Sequence, residues 1–238
     1  MKQNARARTI KSKFLESIRE VIFGMEDGLV STLGVITGIA AGTENSFIVV
    51  LTGFVVVCVE SLSMAAGTYL SSKSLHQIER ARVRKLQHDI TKNPLPHKRV
   101  LSRVYEAHGF TKREVRMIVD RVAQHKHVWT EELALHALHI VPGNGRRARQ
   151  DAFFMGISYI VAGSIPVLPY LILPLSVAMI FSIFSTVAAL FILGYGKSIL
   201  AKIHPWRGGV EMMLVSSGAA ALGFTIGKLV SYMFGVHI

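Results

Sequence analysis

The stretch Gly24–Gly42, G-M-E-D-G-L-V-S-T-L-G-V-I-T-G-I-A-A-G, decides how the rest of the chain is read. It is apolar enough to enter a bilayer, yet it carries Glu26 and Asp27 side by side and five glycines. A carboxylate in such a segment is costly in lipid and belongs to a bundle interior or an ion path. Helical spacing puts Gly24, Asp27, Gly28, Ser31, Gly34, Gly38 and Gly42 near one face. Small residues at that spacing let a second helix approach closely. Asp27 is therefore expected to face another helix, either as an ion-path carboxylate or as a structural one at a packing seam.

Outward from this stretch, half of the 238 residues are apolar and the mean hydropathy is +0.40, while the formal net charge is +12. Residues 1–20 hold six Lys/Arg against two acids, residues 73–151 hold seventeen against eight, and the remainder holds four against five. Apolar blocks alternate with basic ones, the pattern of a polytopic membrane protein with a positive-inside bias. Because the charge flanks apolar spans and no nucleic-acid-binding motif accompanies it, nucleic acid is not an expected partner. Cys58 is the single cysteine, which excludes an internal disulfide and Cys-ligated zinc.

The expected fold is all-α, a polytopic membrane protein with five transmembrane helices and a cytoplasmic helical insert. A basic surface helix from Phe14 leads into a first span at about 21–41, a loop lies around 42–45, and a second span covers about 46–70. Later runs at about 152–173 and 174–195 are separated by the Pro-rich S-I-P-V-L-P-Y-L-I-L-P, and a last run covers about 209–234. Each exceeds the roughly 20 residues that a hydrocarbon core of about 30 Å requires. The expected domains are residues 1–72, a basic helix plus spans one and two; 73–151, the insert; and 152–238, spans three to five. With the basic segments all placed in the cytoplasm, the loop at 42–45 and the C-terminus lie on the other side. The N-terminal span is read as retained rather than as a signal peptide.

The insert is expected to hold four helices. The first continues span two to about Thr91 and stops at Asn93-Pro94. A second covers about 97–108 and ends at Gly109, a third starts from a capping box at Thr111 and Glu114, and a fourth covers about 128–140.

In span two, Glu60, Met64 and Thr68 follow at i, i+4 and i+8 and share a stripe. A carboxylate one turn from a thioether offers a hard and a soft ligand, a mixture suited to Fe²⁺ or Mn²⁺; Met64 taken alone also fits simple packing. Glu211, at the start of span five, lies nearer the interface. Eight of the ten histidines fall in the insert. Glu132, His136 and His139 are placed close together on one helical face, with chemistry suited to Zn²⁺, Fe²⁺ or Ni²⁺. A pH-sensing role and an ordinary solvated surface are the other readings of these histidines. The basic residues are explained by orientation and by attraction to anionic lipid headgroups.

The D-G-L-V of span one, S-L-S-M-A-A-G-T-Y-L-S-S-K-S of span two, I-P-V-L-P-Y of span three, F-I-L-G-Y-G-K closing span four and V-E-M-M-L in span five together resemble the vacuolar iron transporter family. The resemblance covers nearly the whole chain. It implies a proton-coupled exporter of cytosolic Fe²⁺, sometimes Mn²⁺, built as a homodimer with five spans per subunit. It further implies a path at the subunit interface lined by span one, and a cytoplasmic domain that collects metal. The family's span-one aspartate falls on Asp27 and its span-two methionine on Met64. Its span-two glutamate falls on Val56, and Glu60, one turn closer to Met64, is the candidate to take its place. The positions implied to supply metal ligands in the insert become Leu86, Asp89, His97, Val100, Leu133 and Ala137, of which only Asp89 and His97 carry ligand atoms. Surrounded by Arg80, Arg82, Arg84, Lys85, Lys98 and Arg99, this domain is not expected to load iron as its relatives do.

The expected function is thus a divalent transition-metal transporter with Asp27, Glu60, Met64, Asp89 and His97 as metal residues, and Asp27 and Glu60 exchanging metal for protons. Its partners are membrane lipid, divalent metal ions, protons and a second copy of the chain, with no cofactor beyond the transported ion. The alternative is a non-transporting membrane scaffold or sensor whose basic insert binds anionic lipid or a partner. No Gly-x-Ser-x-Gly, phosphate loop or paired nucleophile and base points to an enzyme. The short basic tail and lack of extensions favour a bacterial inner membrane over an organelle.

Overall fold

The computed structural model describes residues 17–43, 45–140, 147–214, 217, 218 and 221. Its elements are α1 (Ile18–Gly42), α2 (Ser46–Lys92), α3 (Pro94–Ala107), α4 (Lys112–Ala123), α5 (Lys126–Ala137), α6 (Arg147–Ile172) and α7 (Leu175–Leu200). Residues 205–214 are also helical, and no strand occurs among the described residues. Two compact units result, one from residues up to Tyr69 and from Arg149 onward, the other from Leu70–Ala148. The 47-residue α2 gives its apolar first half to one unit and its charged second half to the other.

Among the described residues four helices, α1, α2, α6 and α7, are long and apolar enough to cross a membrane. The expected fifth span is described only at its start, its remainder and the expected surface helix before Ser17 lying outside the described residues. In this first unit the large apolar side chains point outward: Phe47, Leu62, Phe153, Ile180, Phe184 and Ile192 are all exposed. A soluble domain would bury them, whereas lipid accepts them freely. The inward side is tight and mixed. Ile36, Val49, Val57, Val167, Tyr170 and Ala178 form one cluster, Leu29, Ala162 and Leu190 another, and the buried Ser182 donates to the Pro166 carbonyl at 2.7 Å.

Local signals set the helix ends. Asn45 Oδ1 accepts from the Phe47 N–H at 2.9 Å, the N-cap bond that starts α2. The Pro-rich run is not the loop expected between spans three and four. Pro166 and Pro169 lie inside α6, which runs to Ile172, and only Pro174 marks a break. Packing against neighbouring helices sustains the missing backbone bonds. Pro174 succeeds as a boundary because its carbonyl accepts from Val177 and Ala178 at 3.0 and 2.8 Å, opening α7.

The second unit is built like a soluble domain. Leu86 and Ile90 of α2, Leu101 of α3, Val115 and Val119 of α4, and Trp129, Leu133 and Ala134 of α5 form one core. The capping box at Thr111 is present: its hydroxyl accepts from the Glu114 N–H, and the Glu114 carboxylate accepts from the Thr111 N–H at 2.8 Å. Gly109 takes φ +90, the left-handed turn that closes α3. Two boundaries differ from the sequence reading. Pro94, fixed in φ and missing only an N–H that the first turn leaves unbonded anyway, starts α3 three residues early. The last helix is Lys126–Ala137 rather than 128–140.

Candidate functional site

α6 meets α1 and α2 at glycines, and these contacts place the site. A Cβ at Gly28 would stand 2.8 Å from the Tyr159 carbonyl oxygen and 3.0 Å from the Gly163 nitrogen. One at Gly24 would stand 2.8 Å from the Met155 carbonyl oxygen, and one at Gly156 would stand 3.2 Å from Ala65 Cβ on α2. Backbone therefore packs on backbone, the mode by which helices associate where apolar burial offers no net drive. By holding both neighbours, α6 fixes the turn of α1 bearing Asp27 and the turn of α2 bearing Glu60.

Asp27 is partly buried, and the charges of Glu60 on α2 and of its neighbour Glu26 act on its carboxylate. Behind them stands Tyr159 of α6, fully buried, its hydroxyl 2.5 Å from Ser31 Oγ one turn after Asp27. The phenol feels the charges of both Asp27 and Glu60. Met64 and Thr68 are partly buried and Glu60 is exposed, continuing the stripe along α2. Asp27 on α1 and Glu60 on α2 thus lie close enough for their charges to act on each other. Tyr159 was missed by sequence reasoning, and no periodic signal marks it; Gly156 and Gly163, seven residues apart on one face of α6, were a legible hint of the packing that positions it.

The expected single glycine seam on α1 divides in two. Gly24 and Gly28 are buried under α6, but among the described residues nothing comes within 4 Å of a Cβ built at Gly34 or Gly38. The 100° step per residue explains the division: Gly34 and Gly38 have rotated toward the Asp27 side, away from Gly28. Asp27, Ser31, Gly34 and Gly38 thus form a small-residue stripe that is at least partly open along its length. Among the described residues no group of three or more His, Cys, Asp or Glu side chains is able to hold a metal ion.

Residues 18–228 match the family model described as the VIT family. The chain belongs to the VIT family. It is 28% identical over 218 residues to vacuolar iron transporter 1 of Arabidopsis thaliana, covering 91% of this chain and 87% of that one. Similarity extends to vacuolar iron transporter 1 of Eucalyptus grandis, 26% identical with 90% and 87% covered. It also reaches the vacuolar iron transporter of Plasmodium berghei, 25% identical with 90% and 82% covered. As a VIT family member with membrane-spanning helices, the chain is an integral membrane protein.

The second unit of this VIT family chain departs from the ligand pattern that the family resemblance implies. Leu86 and Leu133, at two implied ligand positions, are core residues, and Leu133 is 0% exposed. Asp89 and His97 are partly buried but join no group able to hold a metal among the described residues. The trio of Glu132, His136 and His139 is reduced to a pair. Glu132 Oε2 accepts from the Tyr105 hydroxyl at 3.1 Å and lies 3.4 Å from His136 Nε2. His139 falls beyond the end of α5 with a left-handed φ of 53°, off the shared face. Burial first, then the bond to Glu132, pushes the Tyr105 phenol above its ordinary value.

Proposed function

We propose that the chain carries divalent transition metal, Fe²⁺ or Mn²⁺, out of the cytoplasm in exchange for protons, along a path between two copies of α1. What supports this reading is the place of Asp27, partly buried on the small-residue stripe of α1 and within reach of the Glu60 charge, with Met64 on the same stripe of α2 as Glu60. Along these two stripes one protomer offers at most two carboxylates and a thioether, fewer ligands than a transition-metal shell takes; a two-fold copy would double the set. Gly34 and Gly38, with no described residue within 4 Å of a Cβ built there, allow the second α1 to approach closely. Carboxylates suit exchange because proton and metal compete for the same oxygen atoms. The excess of Lys and Arg in residues 1–20 and 73–151 supports a cytoplasmic side for those segments.

The test is metal flux in proteoliposomes under an imposed pH gradient. Asp27→Ala is expected to slow uptake of Fe²⁺ and Mn²⁺ by at least about tenfold, the loss of an interaction essential to passage. Flux at the parent rate would sink the proposal. A second reading, a non-transporting scaffold or sensor binding anionic lipid or a partner, is favoured by Leu86 and Leu133 filling implied ligand positions. It predicts no flux of any first-row divalent metal from a parent protein that remains a folded dimer.

A further inference from the structure

The second unit contains a cleft of about 480 Å³ between the charged half of α2 and α5. From α2 it is lined by His76, Glu79, Arg80 and Arg84, and from α5 by His127 and Glu131. The size falls within the range of small-molecule sites. Its charges are arranged unequally. Both carboxylates are already engaged by imidazoles: His76 Nδ1 lies 3.2 Å from Glu79 Oε2, and His127 Nδ1 lies 3.3 Å from Glu131 Oε2. The Nδ1–H tautomer that makes such a bond leaves Nε2 of each ring for another partner.

The two arginines have no such engagement. Arg80 and Arg84 stand one helical turn apart, and neither forms an ion pair among the described residues. Among the described residues Arg84 Nε donates to the Arg80 carbonyl, at 3.4 Å, and its terminal amino groups are left for a ligand. Two arginines one turn apart on the wall of a concave site raise the local positive potential above that of the same charges on a convex surface. Guanidinium forks match the oxygen geometry of phosphate, with which they form paired charge-assisted bonds. A metal cation fits poorly here, since the described residues offer no group of three His, Cys, Asp or Glu able to hold one.

We propose that this cleft binds a small phosphate-bearing anion, its phosphate held by Arg80 and Arg84 and flanked by His76 and His127. The ligand chemistry is that of a phosphate monoester, supplied either by a soluble phosphorylated compound or by an anionic lipid headgroup. The site is separate from Asp27 and Glu60, and it stands whether or not the chain moves metal.

Binding is tested on the full chain in phosphatidylcholine nanodiscs, titrated calorimetrically with glycerol 3-phosphate and with inorganic phosphate. Saturable binding is expected for the parent. R80Q/R84Q should weaken it by at least about tenfold, the loss of charge-assisted bonds. R80K/R84K, which keeps the charge but not the fork, should lie between the two and guards against a folding defect in the first variant. K112Q/R113Q removes the same charge from the start of α4 and should bind like the parent. Repeating the titration in nanodiscs containing phosphatidic acid distinguishes the sources. Competition there identifies the headgroup as an occupant, and unchanged binding identifies a soluble one, each being consistent with the site. Parent-like binding by R80Q/R84Q, equal weakening by K112Q/R113Q, or no saturable binding by the parent in either nanodisc overturns the proposal.

Discussion

The two units solve the same packing problem in opposite solvents. In the first, Phe184 and Leu62 are each 72% exposed while Ser182, Thr186 and Ser158 are buried. In the second, Leu101 and Leu133 are fully buried while the basic residues lie outside. Water drives the second arrangement, by roughly 25 cal/mol for each Å² of apolar surface hidden. Lipid gives no such drive to the first, which relies on glycine contacts and hydroxyl bonds instead. The consequence for function is that Asp27 and Glu60 are carboxylates in a unit whose outer surface is apolar, where such groups are costly unless they serve a path or a partner. The residues that fill implied ligand positions in the second unit, Leu86 and Leu133, behave as ordinary core.

If the units differ in this way, the largest loss should follow truncation in the water-driven core. Leu133→Ala is expected to cost about 2–5 kcal/mol, as for other fully buried leucines. Urea unfolding of the full chain, read through Trp129 fluorescence in a background lacking Trp206, measures it. A cost below about 1 kcal/mol would mean that this core is loose. Next in size is overpacking of the first unit. Gly28→Ala forces the Tyr159 carbonyl away from a Cβ at 2.8 Å and should cost about 1–3 kcal/mol. Gly34→Ala, with no described neighbour within 4 Å, should leave the protomer intact. Thermal unfolding in detergent separates the two, and equal effects would remove the distinction between covered and open glycines.

The smallest expected effect is at the second unit's surface. Thr111→Ala removes the capping box and should cost about 1 kcal/mol. Its pH dependence is more telling than its size. The Thr111 hydroxyl, then its backbone N–H, holds the Glu114 carboxyl below its ordinary range, and Lys98 does the same for Asp120. Groups with lowered folded values contribute fully above the ordinary carboxylate range, near about 4, and that contribution disappears as pH falls through the folded values. Acid unfolding of Thr111→Ala should therefore lose the hydroxyl's share of the Glu114 part, the larger one, while keeping the backbone N–H share and the Asp120 part, and Lys98→Met should instead lose the Lys98 share of the Asp120 part. Identical acid profiles for the two variants would contradict both assignments.

Much of this was legible from local pattern. The length of the apolar runs placed α1 and the first half of α2, Asn93-Pro94 broke α2 from α3, and the Thr111–Glu114 spacing started α4, because each is decided by neighbours in sequence. The Pro-rich run misled because packing, not local geometry, decides whether a proline ends a membrane helix, and α6 passes through Pro166 and Pro169. The α1 glycines were legible as small but not as divided, since only the position of α6 distinguishes Gly28 from Gly34. The Ser31–Tyr159 contact joins residues 128 apart, beyond any periodic signal. His139 left its expected face because α5 stops at Ala137.

The central claim is that metal passes by Asp27 and Glu60 and is not collected at the leucine-filled positions of the second unit. Anomalous scattering from crystals of the full chain soaked in Mn²⁺ tests it most directly. The account predicts a peak within coordination distance of Asp27, with Glu60 or Met64 as a second neighbour. A peak among Leu86, Asp89, His97 and Leu133, with none near Asp27, would contradict it.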